Sequence, residues 1–134
     1  ESQIAHIGHH EAAWTINKFA HVARKHALLD VCLHSLNKIY DLPNIEIQDA
    51  FIKLKEQVKC HLTAPMTAAL VGPLPTSQPL STRTGLDIIN ITNMDYFTSA
   101  QKAEFFQLKG DLMHKMRQDD DANTAFSMAV SLQE

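Results

Sequence analysis

The stretch from Ser99 to Glu134 constrains the fold most, because the order and spacing of its small and large residues can be checked position by position. Phe105, Leu108, Leu112 and Met116 recur at helical spacing, with Phe106 and Met113 beside them. After a tight acidic turn, Ala122, Ala125, Phe126, Ala129 and Val130 fall at i, i+3, i+4, i+7 and i+8, a one-sided apolar stripe. Two helices joined as a hairpin account for both patterns. Gly110 and Ala122 are expected to let the two backbones approach closely, while Phe106 and Phe126 fill the space beside that contact. A hairpin of this kind cannot bury both of its faces alone, so neighbours are implied.

The same residues fit the ~34-residue tetratricopeptide pattern W-x2-L-G-x2-Y…A-x3-F…P in degenerate form. Phe106 takes the aromatic position, Gly110 the glycine, Met113 the tyrosine, Ala122 the alanine and Phe126 the phenylalanine. The leucine comes one position early at Leu108, and Glu134 stands where proline is expected. A second, looser copy lies upstream, with Ala20 at the glycine position, Cys32 at the alanine and Leu36 at the phenylalanine.

Taken from the start, residues 1–9 carry little pattern and are expected as a frayed lead-in. A first helix is predicted from about His10 to Lys25, with Ala12, Ile16, Phe19, Ala20 and Ala23 on one face. A second runs from about Ala27 to Tyr40, stopped by Pro43, with Asn44 placed to cap the next helix. A third spans about Ile45 to Thr63, with Ile47, Ala50, Phe51, Leu54, Val58 and Leu62 inward and Lys53, Lys55, Glu56 and Lys59 on a solvated face. Residues 64–85 then hold Pro65, Pro73, Pro75 and Pro79, four of the chain's five prolines, which predicts a flexible or extended insertion. A short fourth helix is expected from about Leu86 to Thr92. Thr98 and Gln101 have capping-box spacing for the fifth, and Asp119 to Asp121 are placed to open the sixth. The fold class read from this pattern is all-α: antiparallel helical hairpins stacked as repeats, in one segment of 134 residues.

Little in the sequence points to chemistry. The net charge of −3 gives no support to a nucleic-acid or anionic-membrane surface, and no apolar run approaches the ~20 residues needed to span a bilayer. His10-Glu11 begins what resembles H-E-x-x-H, but Trp14 occupies the second histidine position and the zinc motif fails. His6 and His9 beside it lack a partnered Cys or carboxylate set, and His21, His34, His61 and His114 are scattered one per helix. Cys32 and Cys60 have no CxxC spacing and are expected as buried structural thiols of a reducing compartment, not a disulfide framework. Asp119, Asp120 and Asp121 have a sufficient role at a helix start. With four glycines in the chain there is no phosphate cradle, Rossmann fingerprint or G-x-S-x-G. Trp14 is expected as a packing anchor or an inter-repeat contact. No catalytic, cofactor-binding or metal-binding residue is assigned, and the chain is read as non-enzymatic.

The run Phe19-Ala20-His21-Val22-Ala23-Arg24-Lys25, with Gln57-Val58-Lys59-Cys60, Tyr96-Phe97-Thr98, Ala103-Glu104-Phe105, Leu108-Lys109-Gly110, Ala122-Asn123 and Ala125-Phe126-Ser127, resembles the FAT region of TRRAP-like members of the phosphatidylinositol-3-kinase-related kinase family. The resemblance covers most of residues 12–134 apart from the insertion. It implies a slice of the helical-repeat solenoid that precedes a kinase-like domain, which in these members is a pseudokinase. It further implies a nuclear scaffold of histone acetyltransferase co-activator complexes, of the SAGA type and its nucleosome-acetylating relative, that receives transcription activators. The absence of an initiator methionine at Glu1-Ser2-Gln3 fits an excerpt of a longer chain. The alternative reading of the residues is a free-standing tetratricopeptide-like adaptor that binds peptides. Helix 5 suits an acidic peptide tail poorly, since Gln107, Asp111 and His114 run along one side. A histidine-based metalloenzyme ranks below both.

Overall fold

Helix boundaries are where side-chain chemistry shows most directly. The computed structural model describes residues 2–43, 45–63 and 81–133, with side chains from residue 11 onward. Helix α1 spans Ser2–Lys25, α2 Leu29–Asn37 and α3 Ile47–Thr63, with a 3₁₀ turn at Lys38–Asp41 after α2. Helix α4 spans Thr82–Ile91, α5 Ser99–Lys115 and α6 Asp119–Gln133. The described residues contain no strand. The chain divides into two compact units, Glu1–Cys60 and His61–Glu134.

In the first unit, α1 folds back on α2 through a three-residue turn. Leu28 N–H reaches Ala23 C=O and Ala27 N–H reaches Arg24 C=O, with Ala27 at φ 61°. This is a Schellman cap, in which a left-handed residue satisfies the last carbonyls of the helix. The same turn closes α5 in the second unit: Gln118 N–H reaches Met113 C=O, Arg117 N–H reaches His114 C=O, and Arg117 sits at φ 62°. The sequence offset between Ala27 and Arg117 is the one that relates Ala20 to Gly110 and Cys32 to Ala122. The two copies of the repeat therefore share a turn geometry as well as a residue pattern. Ala20, Gly110, Cys32 and Ala122 are all buried.

The α5–α6 hairpin of the second unit is close to the sequence reading. Thr98 caps α5: its side chain accepts from Gln101 N–H at 3.1 Å while Gln101 Oε1 accepts from Thr98 N–H at 3.0 Å, a complete capping box. Phe105, Leu108 and Leu112 are buried along α5, and Ala122, Ala125 and Ala129 along α6. The Phe97 and Phe105 rings pack at 5.5 Å between centroids. Gly110 faces the Phe126 ring, and a Cβ there would lie 2.4 Å from Phe126 Cε1. The close approach thus sets the Gly110 backbone against an aromatic face. Phe106 and Phe126 are half-buried.

Several boundaries and faces differ from expectation. The lead-in is helical from Ser2, continuous with the rest of α1 through Gly8, whose cost against alanine is about 1 kcal/mol. The second helix starts at Leu29, because left-handed Ala27 ends α1 and cannot open α2. It ends at Asn37, and Leu42 before Pro43 is already extended (φ −89°, ψ 132°). The third helix begins at Ile47 rather than Ile45. Residues 64–80 of the insertion, and the capping role given to Asn44, lie outside the described residues. The last part of the insertion is helix: the Ser81 hydroxyl accepts from Thr84 N–H at 3.0 Å and starts α4 at Thr82. Gly85 lies inside α4, where a Cβ would meet His61 Cβ at 3.0 Å and Leu112 Cδ2 at 3.1 Å.

The largest correction concerns α3. Lys53 and Glu56, assigned to a solvated face, are 4% and 3% exposed, and Asp49 is buried with them. Ile47, assigned inward, is exposed, as are Phe19 on α1 and Val130 on α6. Asp49, Lys53, Glu56 and Cys60 recur at i, i+4, i+7 and i+11, so one face of α3 is polar at helical spacing and turns inward. Trp14 is 55% exposed and is not an interior anchor of its unit.

Candidate functional site

The inward polar face of α3 meets α1 in the first unit. Trp14, Lys18 and His21 follow one another at i, i+4 and i+7 on α1. Asp49, Ile52, Glu56 and Lys59 line the opposite wall from α3, with Lys55 beside them. Together with Asn17 they enclose a cleft of about 290 Å³. Glu56 is its chemical centre. Arg24 Nε donates to Glu56 Oε2 at 2.5 Å, and His21 Nδ1 lies 2.7 Å from Glu56 Oε1. That second contact places a proton on His21 Nδ1, so Arg24 Nη2, 3.4 Å from the same nitrogen, is a neighbour and not a donor to it. Burial works to raise the Glu56 pKa, but the hydrogen bonds and charges of Arg24 and His21 outweigh it. The carboxyl is held below the usual glutamate range and stays ionised at neutral pH. Asn17 Nδ2 adds a bond from α1 to the Asp49 carbonyl at 3.2 Å.

Lys53 uses a different device. Its ammonium donates to the Tyr40 hydroxyl and stands 3.9 Å from the centre of the same ring. A buried cation is thereby paired with a π-face and a hydroxyl instead of a carboxylate. Tyr40 itself is exposed and shields Lys53 from outside.

This geometry binds helices together but is poorly suited to catalysis. A general acid needs a raised carboxyl pKa, whereas Glu56 is pushed down and has its oxygens engaged by two donors. The cleft walls include no Ser, Thr or Cys nucleophile. The two cysteines are free, fully buried and brought together, with Sγ atoms 3.0 Å apart. The buried-thiol expectation holds, but the two positions are neighbours in space. His61 is fully buried in the second unit and its Nδ1 accepts from Ser81 N–H at 3.3 Å; burial lowers its pKa. His114 pairs at the surface with Asp119 at 3.1 Å. Side chains of His6, His9 and His10 lie outside the described residues. Among the described residues no three His, Cys, Asp or Glu side chains group as a metal site would require. Nor is any helix there long and apolar enough to cross a membrane.

The sequence signature of the FAT domain matches residues 2–134. The chain belongs to the FAT domain family. This FAT segment is 50% identical over 128 residues to the SAGA complex/NuA4 acetyltransferase complex subunit TRA1 of Saccharomyces cerevisiae, covering 96% of this chain and 3% of that protein. It is 48% identical over 125 residues to the corresponding subunit Tra1 of Schizosaccharomyces pombe, covering 93% of this chain and 3% of that protein. The transformation/transcription domain-associated protein of Homo sapiens is 37% identical over 131 residues, covering 98% of this chain and 3% of that protein. The chain therefore spans a few hundredths of the length of these relatives.

The buried ionic cluster of this FAT segment is the part that sequence reading missed. Its signal was present. Charged residues on α3 keep helical spacing with one another, and His21 and Arg24 on α1 are three apart on one face, two basic side chains suited to the Glu56 carboxylate.

Proposed function

We propose that this FAT segment is a non-catalytic scaffold piece of a TRRAP-like co-activator subunit, working in the nucleus within histone acetyltransferase complexes. Its partners are protein: subunits of SAGA-type and related complexes, and transcription activators, with neither nucleic acid nor membrane contacted directly. The observation that carries this reading is similarity over 93–96% of this chain to a short stretch of subunits named for the SAGA and NuA4 acetyltransferase complexes. The geometry supports it, because the ionisable groups at the centre of the α1–α3 cleft join two helices. The test is affinity purification of the tagged full-length parent from nuclear extract. Acetyltransferase subunits and histone acetylation activity are expected to co-elute, and a parent that elutes free of both refutes the proposal.

A free-standing peptide-binding adaptor is the second reading, favoured by the cleft itself with Trp14 and three lysines on its walls. Trp14 is the only tryptophan, so its fluorescence reports on the cleft without labels. Tight, salt-sensitive quenching by acidic C-terminal peptides supports the adaptor; an unchanged spectrum at high peptide concentration removes it.

A further inference from the structure

Cys32 on α2 and Cys60 on α3 both carry free thiols, and neither is accessible to solvent. The Cys60 thiol donates to the Cys32 sulfur at 3.0 Å. About 1 Å of closure separates this pair from the ~2.05 Å of a disulfide bond, a displacement within reach of side-chain rotation. Both residues sit on helices of the same unit, separated in sequence by the 3₁₀ turn, Pro43 and the first part of α3. We propose that Cys32 and Cys60 form a reversible dithiol–disulfide couple that staples α2 to α3 when a small hydroperoxide is present.

The oxidant must be small and uncharged. Full burial of both thiols shuts out bulky disulfides, and the hydrogen bond to Cys32, and then burial, raise the Cys60 pKa above that of a free thiol, so the oxidation is slow. In the proposed reaction, one sulfur attacks an oxygen of hydrogen peroxide. The O–O bond breaks, water leaves with the thiol proton, and a sulfenic acid remains. The second sulfur attacks the sulfenic sulfur, forming the S–S bond as the S–O bond breaks. The hydroxyl departs with the second thiol proton as water. Two thiols and one peroxide thus give one disulfide and two waters. When α2 and α3 open locally, a dithiol reductant reaches the bond and reverses the change through a mixed disulfide. With the resolving thiol already in contact, disulfide formation outruns oxidation of the sulfenic acid to sulfinic acid.

The consequence is mechanical. The cross-link closes the loop that contains the 3₁₀ turn and Pro43, and so removes open states from the ensemble of that loop.

The test uses the intact protein treated with hydrogen peroxide, denatured, alkylated with iodoacetamide and digested for mass spectrometry. A peptide pair joined through Cys32 and Cys60 is expected, lighter by two hydrogens than the reduced peptides and released by dithiothreitol. Amides of α2 and α3 are expected to exchange with deuterium on the order of tenfold or more slowly in the oxidised form. In Cys32→Ala the linked peptide and the slower exchange both disappear. Independent sulfinic acids on the two residues, linkage of either to another cysteine, or unchanged alkylation after peroxide each overturn the proposal. The first measurement needs no variant, so misfolding of Cys32→Ala does not shield it.

Discussion

Gly110→Ala separates two opposing effects in a single methyl group. Alanine is favoured over glycine inside a helix by about 1 kcal/mol. At this position, however, the new Cβ meets Phe126 Cε1 at 2.4 Å, Cδ1 at 2.6 Å and Cζ at 2.8 Å, well inside contact distance. Displacing a packed ring of this kind costs about 1–3 kcal/mol. Phe126 is only half-buried and can swing outward, which places the cost toward the lower half of that range. The net effect of Gly110→Ala is therefore a loss of about 0–1 kcal/mol. In a Phe126→Ala background the ring atoms that crowd the methyl group are gone, and the same substitution is expected to stabilise by about 1 kcal/mol. Phe126→Ala alone is expected to cost about 2 kcal/mol, below the 3–5 of a fully buried phenylalanine. Urea melts of the four members of the double-mutant cycle measure the coupling, expected at about 1–2 kcal/mol. A coupling indistinguishable from zero refutes the Gly110–Phe126 contact as the determinant of the hairpin.

Three further outcomes are expected. Burial lowers the His61 pKa, so the folded form binds fewer protons than the unfolded one near pH 6.5; the stability of the second unit is full above that pH and falls as acid is added below it, a slope that calorimetry should find flattened in His61→Gln. Glu56→Gln leaves Arg24 without its anion and is expected to cost about 3 kcal/mol in a thermal melt, whereas in wild type the contribution of the depressed Glu56 is present above pH 4.5 and fades as pH falls through its lower folded value. Ala27→Gly and Arg117→Gly relieve left-handed backbone at the two Schellman caps, each expected to raise stability by up to about 1 kcal/mol, with no change or a loss in urea melts counting against strain at those turns.

The α5–α6 hairpin was legible because its signals are local. The Thr98–Gln101 box, the acidic start at Asp119 and the alanine spacing of α6 all act within a few residues, and the structure returns each of them. Unit 1 was less legible because its decisive pairings are long-range. Lys53 and Glu56 look like surface residues until Tyr40, His21 and Arg24 arrive from other helices to satisfy them. The turn at Ala27 was obscured for a related reason. Alanine gives no hint of a left-handed cap, and the role is fixed by what Leu28 and Leu29 do next. Cys32 and Cys60 show the same gap between sequence and space, since nothing in their separation announces contact.

The seam between α1 and α3 has a consequence for how this segment responds to force. Greasy helix faces can slip past one another by part of a turn and lose little, because any apolar neighbour serves nearly as well as the last. A carboxylate gripped by Arg24 from one side and His21 from the other has a single register, and sliding strips it of both donors at once. Tugged along its axis, α3 should hold still and then let go, a latch in place of a lubricated bearing.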